Sequence, residues 1–495
     1  MINLIAEISK YLMLALFIAY TWACFAVFAP KNPESRVRIL KNQKLLMYEI
    51  HSVGFIVLFL EKPSAQILLL YAAQGTVLIL TMFLYRRLYP CVSQLVINNM
   101  CMLLVVGFVM LSRLSIALAV RQTAMAGGGI AISLLVPFLI RKLPGLGSKK
   151  MMYVYAVTGI GALGAVLLLG NRTYGAKLSA DIHGIVMQPS EFVKILFVFF
   201  AAAALSRADT FKKQVIITAI AALHVLILVG SRDLGTGLII YVIYLVMLYV
   251  ATKKPMFLLA GISSGALASV VAYKLFNHVR VRYLAWKDPF AIYNNGGYQV
   301  AQSLFAIGTG GWFGLGLGRG MAHTIPVVES DFIFSGICEE MGILFGLCLV
   351  LVCLSCYMMF LNIALQIEEM FYKLVALGLG TCYIFQTFLT VGGAVKFIPS
   401  TGVTLPLVSY GGSSVFSTLI MFAIIEGLYI VQSDNEKEKE EAYYRMELKK
   451  ARAEEKRRRQ LKKSSAYDDD PEDYVNRQIG AEVEEVLNAK QKKKK

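Results

Sequence analysis

The chain has 495 residues, of which 57% are hydrophobic and only 16% charged, whereas soluble domains carry about a quarter charged residues. Its formal net charge of +17 invites a nucleic-acid reading, but the distribution excludes it: from Asp434 onward 18 basic residues meet 16 acidic ones, and the remaining excess of 15 lies among the apolar runs of the first 433 residues. Basic residues in short loops between apolar segments are the orientation signal of membrane proteins, so the expected partner is the membrane and not nucleic acid.

Apolar runs long enough to cross a bilayer core of about 30 Å predict an all-α polytopic membrane protein. The first run lacks a basic leader and a small-residue cleavage site, so it reads as a retained span. Spans are expected near residues 8–29, 46–61, 66–85, 94–112, 123–140, 151–169, 189–206, 214–230, 234–251, 256–274, 332–361, 370–390 and 408–431. The second is short and contains His51. Every second loop is basic: Lys31, Arg36, Arg38, Lys41 and Lys44, then Arg86 and Arg87, then Arg141, Lys142, Lys149 and Lys150, then Arg207, Lys212 and Lys213, then Lys253 and Lys254. That register predicts an N-terminus outside and a C-terminus in the cytoplasm, with Arg113 and Arg121 running against the rule.

On the outer face only three connections are long, at about 170–188, 275–331 and 391–407, and the second is by far the largest. The tail from Asp434 has no apolar stripe before Val483 and Val486. Its stretch 437–463 suits a solvated helix or disorder, and the closing lysines 492–495 suit either solubility or anionic headgroups. Of the eight cysteines, Cys24, Cys101, Cys348, Cys353, Cys356 and Cys382 lie inside apolar runs. None has metal-ligand or disulfide spacing, so no metal site is expected from them.

Polar residues in or beside spans are costly and are candidates for function. In QPSEFVK (188–194), Glu191 and Lys194 stand one helical turn apart and can pair, while Pro189 and Ser190 equally mark a helix start. RDLGTG (232–237) reads as an outer turn in which Asp233 caps the next span. The long loop carries Arg280, Arg282, Gln299, Gln302, Ser303 and Arg319, with glycines from Gly308 to Gly320. Their spacing mimics a dinucleotide fingerprint, but that motif needs a strand and a βαβ unit, which are not expected here. Close backbone approach, or N–H groups turned to a phosphate, remains open.

Where this loop meets the membrane stand Glu329 and Asp331, followed by Glu339 and Glu340. Desolvation and like charge are expected to raise the pKa of Asp331, which suits a general base; an N-cap role is the alternative. Prolines and glycines from Pro399 to Gly412 predict a broken helix, which membranes tolerate only inside protein or beside a polar cavity. Lys396 on the outer face suits either an anionic headgroup or an ordinary interfacial position.

Together QPSEFVK, RDLGTG, GYQVAQSLFAIGTGGWFGLGLG (297–318), ESDFIFSGICEEMG (329–342) and PSTGVTLPLVSYGGSS (399–414) resemble the SEDS family of shape, elongation, division and sporulation proteins, typified by RodA, FtsW and SpoVE. The resemblance covers residues 95–431. It implies a ten-span core (94–433), preceded by about three extra transmembrane helices (1–93) and followed by a charged cytoplasmic tail (434–495). It also implies a peptidoglycan glycosyltransferase that polymerises lipid II outside the cytoplasmic membrane, usually beside a class B penicillin-binding protein. The family's essential aspartate falls on Asp331. Substrate contacts are expected from Arg280, Arg282, Gln299, Gln302, Ser303, Arg319, Glu340, Lys396 and Ser409, with a divalent cation as a further candidate for neutralising the pyrophosphate. Four positions depart from the family pattern: Arg232 stands for a frequent proline, Thr390 for an asparagine, Lys396 for a glycine and Thr401 for a lysine of some members. A flippase for lipid II and a non-enzymatic scaffold for a penicillin-binding protein are the rival readings.

Overall fold

A computed structural model describes residues 2–30, 32–143, 145–173, 176–182, 185–464 and 479–485. The helices in chain order begin with α1 (Ile2–Ala26), α2 (Pro33–Glu61), α3 (Ala65–Leu88), α4 (Gln94–Leu114), α5 (Ile116–Ser133), α6 (Val136–Lys142) and α7 (Lys149–Leu169). A small antiparallel ribbon follows, β1 (Asn171–Thr173), β2 (Ala176–Ile182) and β3 (Ile185–Met187). Then come α8 (Pro189–Leu205), α9 (Phe211–Gly230), α10 (Leu234–Thr252), α11 (Pro255–Leu275), α12 (Asn277–Lys287) and α13 (Tyr298–Gly310). The chain closes with α14 (Ile333–Met341), α15 (Ile343–Gln366), α16 (Met370–Ala394) and α17 (Gly412–Ser464).

Twelve helices among the described residues are long and apolar enough to cross a membrane. Helix α8, with 17 residues of almost continuous apolar sequence, supplies the thirteenth expected span. Local chemistry sets the boundaries. Proline stands in the first turn of α2, α8 and α11, and Asn32, Ser64, Ser115, Ser148, Thr210 and Asp233 each accept a first-turn backbone N–H.

Three expected boundaries are corrected. The basic stretch 31–44 is largely not a loop: Arg36, Arg38, Lys41 and Lys44 lie in α2, which Asn32 and Pro33 start 13 residues before the expected apolar run at residue 46. The span expected at 332–361 is divided at Gly342, whose φ of +89° ends α14. The span expected from residue 408 begins only at Gly412, because residues 399–411 are irregular.

Helix α4 is buried along its whole apolar length, while α11 buries none of its residues. In a bilayer the first is a central post and the second faces lipid. Helices α2 and α15 both pack on α4, so the N-terminal helices share a core with the rest. By compactness the chain divides into residues 1–433 and 434–495. The expected helix at 437–463 lies within α17; Val486 and the lysines 492–495 lie outside the described residues.

Candidate functional site

Asp331 sits at the end of a tight turn just before α14. The backbone N–H groups of Ser330 and Asp331 both reach the Val327 carbonyl at 3.1 Å, and Val327 has a φ of +52°, a strained setting for a β-branched residue. The cap position of α14 is taken by Phe332, with no side-chain capping bond. Asp331 therefore does not serve as the expected alternative, an N-cap, and its carboxylate points elsewhere. An ideal Cβ placed on Gly402 would stand 3.4 Å from Asp331 Oδ2 and 3.3 Å from Arg282 Nη2. The carboxylate and the guanidinium thus flank one bare glycine.

Burial pushes the Asp331 carboxyl above the usual carboxylate range, the Ser330 hydroxyl and Arg282 pull it back, and Glu329 adds to the rise. The expected direction holds, and of the acidic neighbours expected on either side Glu329 supplies the like charge. Arg282 Nη1 donates to the Thr401 carbonyl at 2.8 Å. Burial lowers its pKa, and Asp331 and then Asp233 oppose the shift. His278, one turn earlier on α12, is pushed below the usual imidazole range by burial, Arg282 and Arg232.

The irregular segment 399–411 holds this arrangement. Tyr410 N donates to the Glu329 carbonyl at 2.7 Å, and the Ser409 hydroxyl donates to the Ser330 carbonyl while accepting from Leu405 N at 2.9 Å. Gln122 on α5 donates to the Ser409 carbonyl at 2.9 Å, and Thr390 and Gln386 on α16 donate to the carbonyls of Val403 and Thr404 at 2.9 and 3.0 Å. The backbone groups freed by the helix break are met by neighbouring helices, as a membrane requires. Gly235 presses on this segment, since a Cβ there would meet Val403 at 2.7 Å and the Thr401 carbonyl at 3.1 Å.

The two readings of 188–194 are both realised. Pro189 starts α8, and Lys194 Nζ meets Glu191 Oε1 at 2.9 Å in a fully buried pair. Lys194 also donates to Gln386 at 2.7 Å, and Ser417 donates to Glu191 at 2.9 Å. Gln386 thereby joins the Glu191–Lys194 pair to the segment beside Asp331. Asp233 caps α10 through Thr236 N at 3.1 Å, and accepts from Ser190 at 2.9 Å.

The remaining expected contacts fall into separate places. Arg280 stacks on Tyr273, 5.8 Å from the ring centre. Gln299 is exposed on α13, and Gln302 donates to the Tyr293 hydroxyl at 2.9 Å. Ser303 is fully buried between the Ser335 hydroxyl at 2.6 Å and the Ala394 carbonyl at 2.7 Å, where it ties α13, α14 and α16 together. Lys396 is partly exposed with a φ of +58°. Arg319 and Glu340 belong to a second cluster at the far end of α14, where Glu340 pairs with Arg113 at 3.1 Å and accepts from Gly318 N at 2.8 Å. The sequence reading missed His278 and the Thr401 carbonyl as neighbours of Arg282. A position four residues before Arg282 on a helix is the only local signal for His278, and a backbone carbonyl carries none. No group of three or more His, Cys, Asp or Glu among the described residues is arranged to hold a metal ion.

The sequence matches the cell cycle protein family of FtsW, RodA and SpoVE over residues 93–433. It is 34% identical over 373 residues to peptidoglycan glycosyltransferase RodA of Mycobacterium tuberculosis (strain ATCC 25618 / H37Rv), covering 69% of this chain and 78% of the relative. It is 31% identical over 338 residues to probable peptidoglycan glycosyltransferase FtsW of Bacillus subtilis (strain 168), covering 64% and 82%. Among solved structures, the crystal structure of Thermus thermophilus rod shape determining protein RodA has the same fold at 22% identity, with a TM-score of 0.53 over 68% of this chain and 96% of that one. A chain of "Structural coordination of polymerization and crosslinking by a peptidoglycan synthase complex" matches with a TM-score of 0.59 at 23% identity, over 69% of this chain and 98% of its own. With its many apolar helices, the chain belongs to the FtsW, RodA and SpoVE family of multi-pass membrane proteins and is a peptidoglycan glycosyltransferase.

Proposed function

We propose that the chain polymerises lipid II at the outer face of the cytoplasmic membrane by a single inverting displacement with Asp331 as general base. The acceptor GlcNAc 4-hydroxyl oxygen attacks C1 of the donor MurNAc, and the bond from C1 to the undecaprenyl pyrophosphate oxygen breaks. Asp331 takes the hydroxyl proton, and the pyrophosphate leaves with the bonding pair. One displacement inverts the anomeric carbon, with no covalent enzyme intermediate. Arg282, across Gly402 from Asp331, stabilises the negative charge gathering on the leaving group. The observation that carries this reading is the carboxylate of Asp331, held above its ordinary pKa beside Arg282 and across bare Gly402. A general base is typically worth 10²–10⁴-fold.

The register of basic loops supports an N-terminus outside and a C-terminus in the cytoplasm, which puts Asp331 on the outer side. Transpeptidation is the work of a class B penicillin-binding protein acting beside this chain. In domain terms, residues 94–433 form the catalytic core, 1–93 an added three-helix unit and 434–495 a charged tail. The test is polymerisation of labelled lipid II by purified protein, with and without that partner. Asp331→Asn is expected to lose at least about a hundredfold in rate while inserting normally. Polymerisation by this variant at the wild-type rate would refute the assignment. Movement of lipid II across vesicles without strand formation by the wild type would instead favour a flippase.

A further inference from the structure

Helices α1 and α2 lie outside the matched family region of residues 93–433, yet their outer ends reach into the glycine-rich segment 310–320. Glu7, Lys10 and Tyr11 stand at positions i, i+3 and i+4 of α1, one helix face. Lys10 is buried, donates to the Gly314 carbonyl at 3.2 Å and pairs with Glu7. Glu7 also faces Arg319 at 3.7 Å, and the Tyr11 ring packs on Phe313 with centroids 5.7 Å apart. From α2, the Glu61 carboxylate lies against Gly318 so closely that a Cβ there would overlap it, at 1.6 Å from Oε2.

The gripped segment is itself locked to α14. Leu315 N and Gly316 N donate to the carbonyls of Glu339 and Glu340 at 3.0 and 2.8 Å, and Ile343 N donates to the Gly311 carbonyl at 2.9 Å. Gly318 N and Met321 N donate to the side chains of Glu340 and Glu339 at 2.8 and 3.0 Å. Arg113 of α4 closes the group, pairing with Glu340 and donating to the carbonyls of Gly318 and Gly320 at 2.9 and 3.1 Å. Helix α14 has nine residues, so it is about 13 Å long, and Asp331 stands just before its other end. A short rigid rod anchored at one end by this cluster carries a shift of the cluster to the carboxylate.

We propose that the N-terminal helices act as a clamp on the active centre, with Lys10 and Glu61 as positioning residues that set Asp331 through the segment 310–320 and α14. A misplacement of about 1 Å remote from the chemistry is enough to cost on the order of a hundredfold. The clamp touches neither substrate nor the reacting atoms, so its loss acts on kcat and not on KM. The proposal rests on Asp331 being the reacting carboxylate, and amide hydrogen exchange reads the clamp independently of that assignment.

The test compares full-length wild type, Lys10→Met, Lys10→Arg and Glu61→Gln in lipid II polymerisation, with exchange measured over residues 310–320 and 333–341. In Lys10→Met, kcat is expected to fall between about tenfold and a hundredfold with KM unchanged, and exchange rises in both stretches. Lys10→Arg keeps the donor and the charge, and restores both readouts. Glu61→Gln keeps the shape but removes the charge that faces Arg113 and Arg319, shows the same pattern as Lys10→Met and carries the test if Lys10→Met does not insert. Wild-type kcat in Lys10→Met and Glu61→Gln, a loss without faster exchange, or an equal loss in Lys10→Arg each overturns the clamp. If Asp331→Asn polymerises normally while exchange still rises in Lys10→Met, the clamp stands and the identity of the base falls.

Discussion

A carboxylate whose pKa is raised on folding lowers the stability of the protein that uses it. Asp331 is such a group, with burial as the main cause. Between the ordinary carboxylate pKa of about 3.9 and the higher folded value, the native state holds its proton while the unfolded chain has lost it. Stability therefore declines as pH rises through that window, and is unaffected below it. Asp331→Asn is expected to raise the thermal midpoint at pH 7 as it removes activity, and the gain should vanish on acidification below about pH 4. A wild-type midpoint at or above that of the variant at pH 7 would show that the native carboxylate is not under strain. The rate of polymerisation should fall on the acid side at a higher pH than an ordinary carboxylate gives, since the base must be ionised. Lys396 carries a second residue-scale expectation. Its φ of +58° explains why the family pattern has glycine there, because a left-handed conformation costs other residues roughly 1–2 kcal/mol. Lys396→Gly should stabilise the protein by about 1 kcal/mol in thermal unfolding and raise the KM for a diphosphate-bearing substrate. The opposite holds at Arg232, whose φ of +64° no proline can adopt, so this turn differs from one built on the family's frequent proline. Asp331 and the Glu191–Lys194 pair were legible because ionisable residues beside apolar runs are conspicuous. The Thr401 carbonyl and the structural duty of Ser303 were not, because each depends on which segments meet in space.

At the scale of elements, hydropathy located the twelve helices long and apolar enough to cross a membrane and the shorter α8 as well, since bilayer thickness constrains length directly. It located their ends less well. Apolar windows are blind to the polar first turns of α2, and equally blind to the break at Gly342, because α15 continues the apolar run that α14 begins. The segment 399–411 was legible as broken from its prolines and glycines, but not its purpose, which is to hold the Asp331 turn through Ser409 and Tyr410. Two glycines separate packing from function here. Gly402 has a φ of +72°, and its missing Cβ leaves the space between Arg282 and Asp331. Gly402→Ala should strain the backbone by about 1 kcal/mol and crowd both groups, lowering kcat by more than about tenfold, in line with the sensitivity of reacting geometry. Gly308 lies within α13 and a Cβ there would meet nothing within 4 Å. Gly308→Ala should leave polymerisation intact and stabilise the helix by about 0.5–1 kcal/mol. Equal kinetics in the two variants would show that the gap at Gly402 is not part of the reacting geometry.

For the whole molecule, the two ends of the chain should differ in what their removal does. Within the first 433 residues, side-chain networks tie α1, α2 and α3 to the core. Asn99 of α4 accepts from Tyr20 of α1 at 3.0 Å and from Gln43 of α2 at 3.2 Å, and donates to Ser355 of α15 at 3.2 Å. Asn98 donates to Gln43 at 2.9 Å, Gln74 of α3 donates to Thr123 of α5 at 3.1 Å, and the hydroxyls of Tyr85 and Ser133 meet at 2.8 Å. Each interhelical bond of this kind contributes only about 0.6 kcal/mol on average, but an amide stripped of partners in hydrocarbon costs several times more. Removing residues 1–93 takes Gln43 and the Leu40 carbonyl from Asn98 and leaves Asn99 with Ser355 alone, so a chain starting at residue 94 should extract from membranes as aggregate. Supplying 1–93 as a separate polypeptide should restore a monodisperse complex, because preformed spans associate through such contacts. Removing residues 434–495 takes away nearly balanced charge and a stretch that clusters as a separate unit. That truncation should leave the thermal midpoint and lipid II polymerisation unchanged. A monodisperse, active chain starting at residue 94 would mean that the polar networks join two independently stable units, and that the N-terminal helices are an attachment to the core and not a part of it.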